Sequence, residues 1–557
     1  MQINNGITTN CAWQSLLYRC LLVTTMALAV VSPASASPLI ESYMTQLREQ
    51  GRLNVEGQAL AAVRALPAFY AARDYQPVWT SAERVNEMLR VIDGARSDGL
   101  DPDDYHAVTL RELATQGDLS EEQGTHRELL LTDALMRLVY HLEFGKVNPD
   151  KLFGNWQFTK QIDGLDPTAL IEAIVTAPDL AEAVAAHRPQ HGIYEHLRTG
   201  LAEYRQLAEA GGWQPVPAGP ALKPGMQDAR VVALRERLRV TGELDADFPL
   251  SDLFDGELEA AVKRFQQRHR LNDDAVVGKG TLDALNVSAD QRVDQLRVNL
   301  ERARWILHDI KGEMIVADIA GFEVFELEDG NITWRTRAQV GKSYRKTPVF
   351  KSKISHMEIN PTWTVPPTIL RKDILPKTKK DPGYLAARNI RVLDQQGRTV
   401  DPASVDWSRY PKERFPYILR QDPGPKNALG RIKFMFPNPH LVYIHDTPSR
   451  SLFDKDQRTF SSGCIRIQKP LELAERLLAD PQRWDQAAIQ KVLDSEKTTR
   501  VNLPKPVPVA LMYWTAVTGP DGTVFFKTDP YDRDAAVLAA LNSDPVFTPP
   551  AERGGKR

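Results

Sequence analysis

The sequence predicts a multidomain α+β protein: a helical N-terminal scaffold, a small three-helix module, and a β-rich C-terminal domain interrupted by an insertion. Three observations predict it. Apolar residues recur every three to four positions up to about residue 215. They alternate, as on half-buried strands, from about 310 onward. Between the two regimes lies a Gly- and Pro-rich stretch, 211–220, that reads as a linker.

Size and composition fit that plan. At ~100–200 residues per domain, 557 residues allow three or more domains. Lys plus Arg is 70 and Asp plus Glu is 72, a formal charge of −2. This balance lacks the basic excess of a nucleic-acid binder. A composition 42% hydrophobic and 25% charged argues against long disorder. Three Cys in this length exclude a disulfide scaffold and a structural zinc array.

The elements follow in order. Residues 1–36 read as a secretory leader: Arg19 precedes an apolar run, 20–31, and an A-x-A site ends at Ala36. The alternative is an uncleaved inner-membrane anchor, although the run is well short of the ~20 residues that span a bilayer. Cys11 and Cys20 fall in this leader, which leaves Cys464 without an intrachain partner. Such a thiol is either a small buried hydrophobe or kept for its chemistry.

Residues 37–215 form the helical scaffold. Leu60, Val63 and Leu66, then Leu130, Leu131, Leu135, Leu138 and Leu142, have the spacing of amphipathic helices. His187 and His191 are spaced to share a helix face, but Pro189 and Gly192 interrupt that stretch and no carboxylate pattern completes a site. The module covers 222–288. One helix carries Val231, Leu234 and Leu238, and another carries Leu258, Ala261, Val262 and Phe265.

The β-rich domain covers 310–530. Strands are expected at 314–319, 322–327, 333–340, 441–444, 509–515 and 524–527, with a helix at 470–479. Residues 531–557 are read as a tail. The strand pattern breaks over 366–430, where Arg371, Lys372, Lys377, Lys379 and Lys380 form a basic patch. A connection this long is a lid or a small subdomain.

The chemistry concentrates around the lone cysteine. His445 follows an alternating apolar strand, and Cys464 follows a Ser461-Ser462-Gly463 turn. A nucleophilic thiol needs a base nearby, because the thiolate is the reactive form. Glycine before it permits a tight turn whose N–H groups can bind an oxyanion. Arg466 can hold a carboxylate bidentately. A structural cysteine is the competing reading. A metal set of His440, His445, Asp446 and Cys464 lacks a recognised ligand register, so no metal or other cofactor is expected.

His445-Asp446-Thr447-Pro448 followed by Ser461-Ser462-Gly463-Cys464-Ile465-Arg466 resembles the signature of the L,D-transpeptidase (YkuD) family, a strand histidine followed by S-x-G-C-[IV]-R. The text at 417–424, 427–430 and 433–438 extends the resemblance, and the whole layout is similar to the large YcbB-like periplasmic members. Residues 222–288 resemble a small peptidoglycan-binding module through Ala261-Val262-Lys263-Arg264-Phe265-Gln266 and Val277-Gly278. That segment departs at Arg270 and Ala275, where the pattern has glycine.

The resemblance implies an exported, periplasmic enzyme. It would cut the L,D-bond after the third residue of a peptidoglycan tetrapeptide stem and pass the acyl group to the side-chain amine of a second stem. Cys464 would be the nucleophile and His445 the base. The Asp446 carbonyl would orient the imidazole, and the Gly463 and Cys464 N–H groups would bind the oxyanion. Arg466 would hold a stem carboxylate or order the Cys loop, and Ser462 would face substrate. Tyr443 either lines the site or packs in the core. Carbapenem-type inhibitors would acylate Cys464, and wall-synthesis proteins are candidate partners. Water as acceptor (a carboxypeptidase or endopeptidase), attachment of a protein to the wall, and an inactive wall-binding scaffold are the alternatives.

Overall fold

The computed structural model describes residues 36–153, 166–310, 312–410 and 414–544. The expected leader, up to residue 35, lies outside them. No helix among the described residues is long and apolar enough to cross a membrane.

Helices from Pro38–Gln50 to Gly192–Glu209 build the N-terminal region. Its centre is Glu121–Phe144, opened by a Ser120/Gln123 capping box. The leucine spacing predicts an amphipathic helix here, yet Glu128, Asp133 and Arg137 are buried as well. They are tolerated because they are hydrogen-bonded. Asp133 accepts from the N–H groups of Ala61 and Ala62, and Glu128 from those of Val78 and Trp79. His187 and His191 do not share a helix: His187 follows Leu180–Ala185, and His191 caps Gly192–Glu209.

The module packs helices Arg230–Val240, Gly256–Arg268 and Lys279–Leu285 around Leu234, Leu258 and Phe265. Arg270 and Ala275 take left-handed φ values of +54° and +61°. The backbone that glycine would favour is thus kept despite a Cβ, at roughly 1–2 kcal/mol per residue. Three consecutive residues dock the module on a hairpin of strands Ala516–Thr518 and Val524–Phe526. The Arg268 Nε donates to the Val524 carbonyl at 3.0 Å. The His269 ring stacks on Phe265 and Phe526, with centroids 3.8 and 5.8 Å away. The Arg270 guanidinium lies 4.5 Å from the Phe525 centroid.

A helix, Ala289–Ile306, joins the module to the β-rich domain and packs against Gly192–Glu209. That domain is built on β1 (Met314–Asp318), β2 (Glu323–Glu328), β3 (Asn331–Gly341), β4 (Phe350–Ile359), β5 (Ile432–Met435), β6 (Ile444–His445), β7 (Thr459–Ser461), β8 (Ile465–Ile467) and β9 (Thr499–Met512). Their order is β7-β3-β8-β6-β5-β4-β9-β1-β2, and β2 pairs back onto β3, so the sheet closes. Inside lie Ile315, Val340, Phe350, Met357, Phe434, Ile444, Ile465 and Leu511.

The segment read as a tail begins inside the core. Tyr531 is fully buried, and its hydroxyl donates to the Gly341 carbonyl at 2.6 Å. Helix Asp534–Leu541 packs on Ala289–Ile306, with Arg302 and Asp534 2.7 Å apart. Aromatic burial and that ion pair hold 531–541 to the body.

The insertion between β4 and β5 has its own four-stranded sheet, in the order Trp363–Thr364, Ile418–Gln421, Ile390–Leu393, Thr399–Val400. Val365, Ile374, Leu375, Leu385, Val392 and Leu419 form a separate core beneath it. It is therefore a subdomain rather than a bare loop, and its five predicted basic residues are all exposed.

Candidate active site

Three adjacent strands carry the site. In β6, Ile444 pairs with Ile465 of parallel β8, and both are fully buried. Strand side chains alternate, so the next pair, His445 and Arg466, faces the other way. Antiparallel β5 brings Lys433 opposite His445 on that same face. One step before β8, the Ile465 N–H donates to the Tyr443 carbonyl at 2.9 Å. This keeps Cys464 in register beside Tyr443. The thiol Sγ lies 3.8 Å from the Leu441 carbonyl oxygen. Leu441 is 60% exposed and takes φ +55°, an uncommon conformation for a branched side chain.

His445 is buried, and its Nδ1 lies 2.5 Å from the Asp446 carbonyl oxygen. A carbonyl only accepts, so Nδ1 carries the proton and Nε2 keeps its lone pair. Burial, and then the Arg466 charge, push the imidazole down to about 3, against the opposing pull of the Asp446 and Leu429 carbonyls. Burial pushes the Cys464 thiol up, while a backbone hydrogen bond at Tyr443, Arg466 and Lys433 pull it down. Both shifts disfavour the charged form of the group concerned, thiolate and imidazolium alike.

The loop that carries Cys464 is clamped from both sides. Ser461 Oγ accepts from the Gly463 N–H at 3.0 Å and donates to the Cys464 carbonyl at 2.5 Å. Thr347 Oγ1 donates to the Gly463 carbonyl and accepts from the Gly341 N–H, both at 2.9 Å. Gly463 has φ +116°, which side chains rarely adopt. The clamp corrects one expectation. The Gly463 N–H is already committed to Ser461 Oγ, so it is not a free oxyanion donor in this conformation. The Cys464 N–H has no protein acceptor among the described residues.

Against known families, the L,D-transpeptidase catalytic domain (YkuD) matches residues 312–508, a span that contains the whole constellation. Residues 312–508 thus form a domain of the YkuD L,D-transpeptidase type. The "Putative peptidoglycan binding domain" matches residues 227–285, and a "Scaffold domain" matches 64–201. A Haemophilus influenzae protein named "Putative L,D-transpeptidase" is 38% identical over 253 residues, 45% of this chain and 50% of that one. The chain thus matches about half the length of that relative. L,D-transpeptidase structures from Xylanimonas cellulosilytica and Stackebrandtia nassauensis are 14% and 13% identical. They cover 54% and 53% of this chain and 100% and 97% of their own. Their TM-scores, 0.17 and 0.22, are too low to bear on the fold.

Around the YkuD constellation the remaining side chains fall into place. Arg466 Nη1 reaches Gln339 Oε1 at 3.4 Å, and its buried Nε has no protein partner among the described residues. The guanidinium is therefore under-used by the protein and suits a carboxylate ligand. The Tyr443 ring centroid lies 4.0 Å from Lys433 Nζ, which also sits 3.6 Å from Glu358. The Asp446 carboxylate points away from the imidazole, accepting from the Arg431 N–H at 2.9 Å and pairing with Arg450 at 3.1 Å. Ser462 is exposed, and its Oγ accepts from Arg345 Nη1 at 2.8 Å.

Sequence reasoning does not find Ser461's clamp, Thr347 or Lys433. Ser461 stands in the quoted motif but is indistinguishable from Ser462 without its partners. Lys433 becomes visible only through the register that sets it opposite His445.

Proposed function

We propose that the chain is an exported peptidoglycan L,D-transpeptidase that forms 3–3 cross-links through a Cys464 acyl-thioester. The observation that carries this reading is the YkuD match over residues 312–508, with His445 paired to Arg466 in its sheet and Cys464 next to the start of the Arg466 strand. Its setting is periplasmic, reached through the leader at 1–36, and the 222–288 module holds the wall substrate.

In the first half-reaction the His445 Nε2 takes the Cys464 proton as sulfur attacks the carbonyl of the third stem residue. The Cys464 N–H and the fixed loop dipoles stabilise the oxyanion. As the C–N bond breaks, His445 returns the proton to the leaving D-amino acid. In the second half, the side-chain amine of another stem attacks the thioester, loses its proton through His445, and releases the thiol. Arg466 anchors a stem carboxylate, and Tyr443 and Ser462 flank the entry. The insertion acts as a lid that excludes water from the thioester until the amine arrives.

A disaccharide–tetrapeptide incubated with the chain, with and without a second stem as acceptor, tests this by mass spectrometry. The expected product is a tetra–tripeptide dimer lacking one D-amino acid. Tripeptide alone would instead favour water as acceptor. Cys464→Ala should abolish either product while leaving the fold intact. Continued turnover by that variant would sink the reading. A carbapenem should add its mass to the wild-type chain and not to the alanine variant.

A further inference from the structure

We propose that Arg345 is a positioning residue that couples the insertion to the nucleophile loop. The inference rests on Cys464 being the nucleophile. Arg345 lies in the loop between β3 and β4, far in sequence from both groups it joins. Its Nη1 lies 2.5 Å from Asp373 Oδ2 in the insertion and 2.8 Å from Ser462 Oγ, two residues before the thiol. One nitrogen serves both acceptors, so a shift of Asp373 is felt at Ser462. The Arg345 side chain is 12% exposed, so solvent screens this contact less than it does an ordinary surface pair.

Two further features support the coupling. Asp373 sits in a wide π-type turn, Leu370–Ile374, inside the first helical run of the insertion. Such turns are local departures that re-aim a side chain, and they recur at functional sites. A side chain two residues after Arg345 also touches the loop, since Thr347 Oγ1 donates to the Gly463 carbonyl at 2.9 Å. The 342–348 loop therefore grips the nucleophile turn at Ser462 and Gly463 while holding the insertion by one ion pair. The insertion has its own core and its own sheet, so the Arg345–Asp373 ion pair is a contact between two separately packed units.

The test uses the full chain and the variants Asp373→Asn, Arg345→Ala and the double variant. Asp373 is 37% exposed and touches no reacting atom, so its amide should leave the fold intact. Three readouts apply: carbapenem acylation of Cys464 by mass, iodoacetamide alkylation of the same thiol, and hydrogen exchange across 461–464. Asp373→Asn should slow acylation about tenfold, because acylation needs an aligned loop. Alkylation, which needs only an accessible thiol, should stay within about twofold. Exchange at 461–464 should rise, and the double variant should be no slower than Arg345→Ala alone. Wild-type acylation and unchanged exchange in Asp373→Asn would overturn the coupling, as would additive losses in the double variant. Should Arg345→Ala fail to fold, Asp373→Asn against Ser462→Ala closes the same cycle. Absence of any carbapenem adduct on the wild-type chain would count against Cys464 as nucleophile, and the exchange arm would still decide the coupling.

Discussion

Gly341→Ala isolates the clamp under the Cys464 loop. The end of β3 has no room for a side chain: a Cβ on Gly341 would lie 2.1 Å from the Arg345 carbonyl oxygen, 2.9 Å from the Thr347 nitrogen and 3.1 Å from the Gly463 Cα. All three neighbours are backbone, so no flexible tip can swing away. Restoring even a 3.0 Å contact requires the 342–348 loop and β3 to part by about 0.9 Å. That movement stretches the Gly341–Thr347, Thr347–Gly463 and Tyr531–Gly341 hydrogen bonds, now 2.9, 2.9 and 2.6 Å. Three such bonds at about 1 kcal/mol each, with ~1–3 kcal/mol of overpacking, give a loss of roughly 4–6 kcal/mol. For a domain of this size that lowers Tm by roughly 8–24 °C at ~2–4 °C per kcal/mol. Misplacing the loop by nearly an ångström should also slow acylation by about 100-fold. The assays are thermal melting and carbapenem acylation followed by mass, the latter at a temperature where the variant stays folded. A variant that melts within about 2 °C of wild type and acylates at its rate would refute the clamp.

Further outcomes follow from the same geometry. His445→Ala should slow thioester formation by roughly 10²–10⁴-fold in single-turnover acylation, the contribution of a positioned base. Asp446→Asn should keep acylation near wild type while lowering the melting temperature, because the carbonyl faces the imidazole and the carboxylate holds Arg431 and Arg450; severe loss of rate in a folded protein would contradict that division. With His445 depressed to about 3 and the thiol raised, the reactive neutral pair persists across the middle of the pH range. Acylation should then be flat over about pH 5–8, and an acidic limb near ~6.5, the ordinary histidine value, would show that burial does not depress the His445 imidazole. Ala275→Gly should leave the melting temperature unchanged or raise it slightly, since relief of a φ of +61° offsets the added freedom of the unfolded chain. A drop of several degrees would mean that the buried methyl matters more than the backbone.

The nucleophile motif and the change from helical to strand spacing were legible because each is local. Other features depend on what comes to lie beside them. Helix Ala289–Ile306 has an apolar stripe at Val293, Leu296, Leu300 and Ala303, but it also buries Arg292, Asn299, Glu301, Arg302 and Arg304, which find partners elsewhere in the fold. β9 carries Pro504, Pro506 and Pro508, which argue against a strand by composition. Its ladder to β4 breaks between Asn502 and Val507, where Pro504 and Pro506 fall, and Pro508 rejoins it opposite Lys353. The clamp escapes the sequence for a different reason: Thr347 and Gly463 are 116 residues apart, and a lone threonine carries no mark of its partner.

The three-residue junction at Arg268, His269 and Arg270 bears on reach. A hook on a slack tether samples a sphere, and its grip says little about where the blade falls. This hook is bolted to the hairpin by a hydrogen bond, a ring stack and a guanidinium–ring contact in successive positions. Whatever the module grips is held at one fixed offset and one orientation from Cys464. Under the proposed function the chain would work as a gauge, the spacing between a strand held by the module and the bond opened at Cys464 being set by the width of the folded body.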